Sequence, residues 1–242
     1  MLLQVTKKSK NTSPPTSTES QYSCAYCGRT FQRESTVQSH VCESKRRTLD
    51  KDRPGNRIAF AAFTRFYKFN TNSKPKTHAD FIKSAYYIAF VKFGNYCADV
   101  GVIAVERYVD WLLRQQVKIN DWVSDTVYQR YLVEHLRNED ALDAVARSIQ
   151  TLVRLCEGTS MQACDYLRWG NANVVCHNIT SGKISPWMLY QSSGGREFLD
   201  KLNGDQVKVV FDYINPELWA LQFKRKPDVV TEVKTLLSMG GF

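Results

Sequence analysis

Residues 22–47, YSCAYCGRTFQRESTVQSHVCESKRR, are the stretch on which the reading of the fold turns. Cys24 and Cys27 form a C-x2-C knuckle, His40 follows after twelve intervening residues, and Cys42 lies two beyond it. Thiolates and an imidazole are the ligands of tetrahedral Zn²⁺. Four of them this close make a closed, structural set with no position left for water. The last pair is tightly spaced. Residues two apart on a helix point about 200° away from each other at 3.6 residues per turn. A helix carrying His40 must therefore end or unwind at Val41 before Cys42 can share the same metal.

The apolar positions agree with the ligands: Tyr22 before the knuckle, Phe31 after it, and Val37 one turn before the histidine. In this the segment resembles the ββα zinc finger, departing from it in the spacing of the last two ligands, which in that family is about three to five residues. The resemblance implies a hairpin over Tyr22 to Arg29 and a helix over Gln32 to His40, in a Cys2HisCys variant. It also places base-facing positions at Arg33, Thr36 and Ser39, with Arg33 suited to a bidentate bond to guanine. So short a stretch cannot bury enough apolar area to fold alone, and metal binding supplies its folding free energy.

The chain has 242 residues, enough for a finger and one domain with a full core. Its net charge of +9 is unevenly placed. Residues 1–76 hold 15 Lys and Arg against 5 Asp and Glu, a net +10, and residues 77–242 hold 18 against 19, a net −1. An electrostatic partner is expected to meet the N-terminal third. Seven cysteines with no signal segment fit a reducing compartment, not a disulfide framework. No apolar run is long enough to span a bilayer, so a cytoplasmic protein with no membrane partner is expected.

Taken in order, residues 1–20 read as a disordered basic tail, 21–43 as the zinc finger, 44–56 as a basic linker and 57–242 as an α-helical domain. The fold class is mostly α, a small ββα finger followed by helices. In the linker, Lys45, Arg46 and Arg47 are placed to neutralise phosphates, and Arg53-Pro54-Gly55-Asn56 reads as a turn. Helical spacing begins at Arg57, with Ile58, Ala61, Ala62, Arg65 and Phe66 on one face. Arg65 and Lys68 interleave with aromatics, which suits either core packing or a stacking platform for single strands. Thr77 caps a helix over ADFIKSAYYIAFVKFGNYCAD, with Phe81, Ala85, Ile88 and Ala89 as its stripe. Three core helices follow. The last of them points Leu142, Val145, Ala146, Ile149, Leu152, Val153 and Cys156 inward and stops at Gly158. Residues 159–183 are the least legible, with a short strand at Val174 and Val175. Beyond them, Ser185-Pro186 and Asn215-Pro216 open helices and Gly194-Gly195 breaks one, giving short helices to the end.

None of the common catalytic motifs is present, among them the P-loop, G-x-G-x-x-G, G-x-S-x-G and H-E-x-x-H, so the chain reads as a non-enzyme. The acidic group of Glu139, Asp140 and Asp143 reads as a solvated helix face ion-paired with Arg137 and Arg147, with a Mg²⁺ site as the alternative. Cys176-His177 lacks companions for a second metal site. The string CAYCGRTFQRESTVQSHVCESKRR, with RFYKF, SAYYIAFVKFGNYC and ISPWMLYQSSG, is similar to zinc-finger proteins of large tailed bacteriophages over most of the chain. That similarity implies a phage protein acting in the cytoplasm of an infected bacterium. The functional expectation is non-catalytic binding of nucleic acid, DNA before RNA, through Arg33, Thr36, Ser39, Lys45, Arg46 and Arg47. The alternative is a docking element for another phage or host protein, in regulation or virion assembly.

Overall fold

The computed structural model of the chain describes residues 22–71 and 74–242, so the expected basic tail over 1–20 lies outside the described residues. Two compact units divide the chain at Lys51 and Asp52. The first opens with strands β1 (Tyr22–Ser23) and β2 (Thr30–Phe31), antiparallel with Tyr22 opposite Phe31. Gly28 makes their turn possible. Its φ of +73° lies in the left-handed region, where a Cβ is strained, and its amide donates to the Cys24 carbonyl at 2.8 Å. Helix α1 (Glu34–Ser39) follows, shorter at both ends than expected, and α2 (Glu43–Leu49) comes after a break of three residues. Tyr22, Phe31 and Val37 are only half-buried, and Cys24 alone among the described residues of this unit is fully buried.

The stretch expected as a basic linker, 44–56, is mostly helical and contains the boundary between the two units, and the turn expected at Arg53-Pro54-Gly55-Asn56 is corrected. Cys42 caps α2, a 3-10 turn spans Asp50–Asp52, and α3 (Pro54–Thr71) starts at the proline, which tolerates a first-turn position because its missing N–H would have no intrahelical partner there. Gly55 is accordingly a packing residue and not a turn residue. A Cβ on Gly94 would lie 2.0 Å from the Gly55 carbonyl oxygen and 2.8 Å from the Ala59 amide, so two glycines let the helix backbones touch.

In the second unit, α4 (His78–Lys83) and α5 (Tyr87–Val100) replace the single helix expected there. The Thr77–Asp80 capping box is present as expected, but Ser84 adopts extended backbone and its hydroxyl takes the Tyr86 amide at 3.1 Å. The break resets the helical phase, burying Tyr87, Phe90, Phe93, Gly94 and Cys97 and leaving Ile88 exposed. In α3 the buried positions are Ala59, Ala62 and Phe63, while Ala61 and Phe69 face outward. Arg65 is paired with Asp110 and Glu106, and Phe66 packs edge-on to Phe90 and Trp122. The core reading of that mixture therefore holds for Phe66. Helix α6 (Val105–Arg114) buries Tyr108, Val109, Trp111, Leu112 and Leu113. The aromatic core meets edge to face, as in Phe63–Phe90 at 5.5 Å and Phe93–Trp122 at 5.1 Å between centroids.

The chain continues through α7 (Asp125–Asn138), α8 (Ala141–Cys156), α9 (Tyr166–Trp169), α10 (Ala172–Thr180), α11 (Pro186–Gln191) and α12 (Ser193–Asp200). It ends with α13 (Gly204–Ile214), α14 (Pro216–Arg225) and α15 (Pro227–Met239). Ser185 and Asn215 cap α11 and α14 with proline next, and Gly158 follows the end of α8 in a left-handed conformation, as expected. Three expectations fail locally. Ala146 and Val153 of α8 are exposed, because Ala141, Ala144, Val145, Ser148 and Leu152 form the inward face. Val174 and Val175 lie in a helix, since Asn171 accepts two first-turn amides and overrides their β preference. Gly194 and Gly195 lie inside α12, where the buried Ser192 hydroxyl accepts the Gly195 amide at 3.0 Å and a Cβ on Gly195 would strike Leu189. No helix among the described residues is long and apolar enough to cross a membrane.

Candidate metal centre

The turn between β1 and β2 brings Cys24 and Cys27 to one side, and the end of α1 brings His40. Cys24, Cys27, His40 and Cys42 place one ligand atom each within 4.8 Å of all the others, and they are the one such group among the described residues. Cys24 Sγ lies 3.9 Å from Cys42 Sγ, and Cys27 Sγ lies 3.4 Å from His40 Nε2. These are the edge lengths of a tetrahedron around an ion bound at about 2.0–2.3 Å. The donor set suits a soft or borderline metal ion. Cys176 is buried and His177 exposed, and neither joins a second group.

The chain solves the crowded His40–Cys42 spacing earlier than Val41. Helix α1 ends at Ser39, and His40 adopts extended backbone at φ −67° and ψ 121°. Its ring packs against Phe31 at 4.8 Å. Cys42 is also extended, and its Sγ accepts the Lys45 amide at 3.4 Å as the N-cap of α2. One sulfur thus serves the ligand cluster and starts a helix, a coupling the sequence reading did not find. Its signal was a ligand followed directly by Glu43 and a basic run. In the knuckle, the amides of Tyr26 and Cys27 hold the Cys24 thiol below its usual pKa. At Cys27 the Arg29 amide acts the same way but is outweighed, as burial and the neighbouring Cys42 and Cys24 sulfurs push that thiol up.

The residues expected to meet nucleic acid divide into two sets. Arg33 and Thr36 are exposed, Arg33 at the N-cap of α1. Ser39 is exposed, yet its hydroxyl donates to the Ser35 and Thr36 carbonyls at 3.0 and 3.3 Å. Lys45 Nζ donates to the carbonyls of His40 and Gln38 at 3.2 and 3.4 Å, fastening α2 to the end of α1. Arg46 and Arg47 both pair with Glu43, and the Arg47 side chain is only 18% exposed. The basic cluster is therefore partly engaged within the finger, and Arg33 and Arg46 are its outward-facing members.

The acidic group is corrected at Glu139. Its side chain is 3% exposed, not solvated. Arg147 Nη2 lies 2.7 Å from Glu139 Oε2, and the Ser185 hydroxyl donates to Oε1 at 2.9 Å. Asp140 is spent capping α8. Glu139, Ser185 and the partly buried Arg147 make a structural network, and Asp140 stays exposed. His135 sits beside it, with Nε2 3.7 Å from Glu139 and Nδ1 3.3 Å from the Tyr131 hydroxyl. Burial, with Arg147 and Arg107 nearby, pushes the His135 pKa down to about 4. The folded protein therefore holds this histidine neutral while the unfolded chain takes up its proton near pH 6.5. Stability from this residue is present above that pH and falls by at most about 3 kcal/mol as pH drops to 4. In thermal melts, the stability difference between the native protein and His135→Gln is expected to change across pH 6.5 to 4, the native protein losing more. Parallel curves across that window would refute the assignment.

No protein-family model matches the chain, and neither a curated protein nor a solved structure matches it.

Proposed function

We propose that the metal is a structural Zn²⁺ and that the finger it organises binds nucleic acid, DNA in preference to RNA, without catalysis. Zinc–sulfur bonds of about 2.3 Å and a zinc–nitrogen bond of about 2.0 Å require sulfur–sulfur edges near 3.8 Å and sulfur–nitrogen edges near 3.5 Å. The observed 3.9 and 3.4 Å agree with them. All four positions are filled by the protein, which leaves none for a catalytic water. The observation that carries the reading is this closed cluster standing within the third of the chain that holds 15 Lys and Arg against 5 Asp and Glu. The metal fixes His40 and Cys42, Cys42 starts α2, and the exposed Arg33 and Arg46 are thereby held at set positions for phosphate or base contact. On the resemblance read from the sequence to phage zinc-finger proteins, the site of action proposed is the cytoplasm of an infected bacterium.

Protein docking is the second reading, favoured by the ion pairs that tie Arg46 and Arg47 to Glu43. Binding retained at high salt would mark it. The test is a filter-binding titration over a range of salt with Arg33→Glu/Arg46→Glu, its metal site checked by the spectrum of the cobalt-substituted protein. Affinity for DNA is expected to fall about tenfold or more and the log–log salt slope to flatten by roughly 2. Unchanged affinity with an intact metal spectrum would sink the nucleic-acid reading of the finger.

A further inference from the structure

Residues 77–242 are nearly balanced in charge, with 18 Lys and Arg against 19 Asp and Glu, yet four exposed arginines stand along one seam. Arg107 and Arg114 stand seven residues apart on α6, and Arg130 and Arg137 stand seven apart on α7. A seven-residue step is two helical turns, about 10.5 Å along each axis, so each pair lies on one side of its helix. The two helices are in contact. All four side chains are exposed, and among the described residues none has a carboxylate partner. Three acids lie near them: Asp110 is paired with Arg65, while Glu134, which accepts the Trp111 indole N–H at 2.7 Å and keeps its charge, and Asp212 at the rim remain as counter-charges. Trp111 and Glu134 form the floor, with hollows of about 590 and 320 Å³ on either side, and the Arg130 guanidinium lies 5.8 Å from the Trp111 ring centroid. A third hollow of about 270 Å³ runs on from Arg137 to Arg225.

The four guanidiniums outnumber the carboxylates left along the seam, Glu134 and Asp212, and a regularly charged polyanion complements that excess. We propose that the α6–α7 seam is a second binding surface for nucleic acid, gripping the phosphates of a single strand through Arg107, Arg114, Arg130 and Arg137. A single strand fits the concave shape. Duplex DNA, stiff over about 150 base pairs, does not bend into hollows of this size, whereas a flexible strand can lay its phosphates along both arginine rows. The proposal rests on the nucleic-acid reading for the class of partner only; its residues are not those of the finger.

The experiment is fluorescence anisotropy of the full-length, zinc-loaded protein with a labelled oligo-dT of about twenty nucleotides, long enough to cover one site of about 4–16. It compares the native protein, Arg33→Glu/Arg46→Glu, and Arg107→Gln/Arg114→Gln/Arg130→Gln/Arg137→Gln. The two double variants, R107Q/R114Q and R130Q/R137Q, serve if the quadruple one melts early. Neutralising the seam is expected to lower affinity at least about tenfold and reduce the salt slope by roughly 0.7 per arginine. Loss in the seam variants upholds this proposal whatever the finger variant does, the finger reading being decided by the DNA titration of Arg33→Glu/Arg46→Glu. Loss in the finger variant with none in the seam variants overturns the proposal. Equal displacement of the strand by polyglutamate, or duplex binding that depends equally on these arginines, overturns the assignment to single strands.

Discussion

Arg147→Met is expected to destabilise the helical unit by about 3–5 kcal/mol, the usual cost of breaking a buried ion pair by removing one partner. At roughly 2–4 °C per kcal/mol for a domain of this size, the melting temperature should drop by about 10 °C. The reason is Glu139, whose side chain is 3% exposed and keeps the Ser185 hydroxyl and the neutral His135 ring 3.7 Å away, with no cation, once the guanidinium is gone. Arg147 Nε also donates to the Gly182 carbonyl at 2.8 Å, so the substitution releases the turn after α10 as well. Burial already raises the Glu139 pKa, against the pull of Arg147 and Ser185. Without Arg147 it rises further. An acid whose folded pKa lies above its unfolded value favours the folded state at low pH and loses that advantage as pH rises beyond about 4.5. The variant should thus be least stable at neutral pH and recover part of its loss on acidification. Adding Glu139→Gln should restore much of the stability at pH 7, because a neutral amide keeps an acceptor for Ser185 and removes the stranded charge. If the double variant melts as low as Arg147→Met, the charge is not the cause and the loss belongs to the Gly182 contact.

That network also marks where the sequence could and could not be read. The ligands were legible because metal coordination fixes both residue type and spacing, and both appear in the string. The capping residues Thr77, Ser185 and Asn215 were legible because a cap acts within three residues of itself. Glu139 was not. Its pairing with Arg147 was expected, but the acidic run reads as solvated, and only folding buries it and brings Ser185 against it. Phase errors had a similar origin. Residues Ala79 to Asp99 make a plausible single helix, and one side chain, Ser84, supplies the local hydrogen bond that breaks it and rotates the buried face to Phe90 and Phe93. Val174 and Val175 misled because β-branched pairs favour strands until an upstream asparagine caps a helix through them. The arginine seam was invisible in the sequence because its two rows stand on different helices, and only the packing of α6 on α7 sets their hollows on either side of Trp111 and Glu134.

Removing the metal, or one of its thiolates, should abolish the finger while leaving the helical unit standing. Structural zinc in isolated fingers contributes an apparent 10–16 kcal/mol or so of binding free energy at neutral pH, far more than most substitutions cost. This finger has little to set against that loss. Its apolar residues Tyr22, Phe31 and Val37 are half-buried, its strands are two residues long, and its single fully buried residue is the ligand Cys24. Cys24→Ser or a strong chelator should therefore collapse the dispersed amide signals of residues 22–49 in a heteronuclear NMR spectrum. Signals of the unit beginning at Asp52, which has its own core, should stay dispersed, and its melting temperature should hold. Cys42 allows a finer separation, since its sulfur both joins the cluster and caps α2. Asparagine is among the best helix caps but lies outside zinc's usual ligand set of thiolate, imidazole and carboxylate, so Cys42→Asn keeps one role and gives up the other. If the metal holds the finger, Cys42→Asn and Cys42→Ala should unfold it alike. A Cys42→Asn protein whose α2 amides remain protected from exchange would show that the cap, and not the metal, carries the helix.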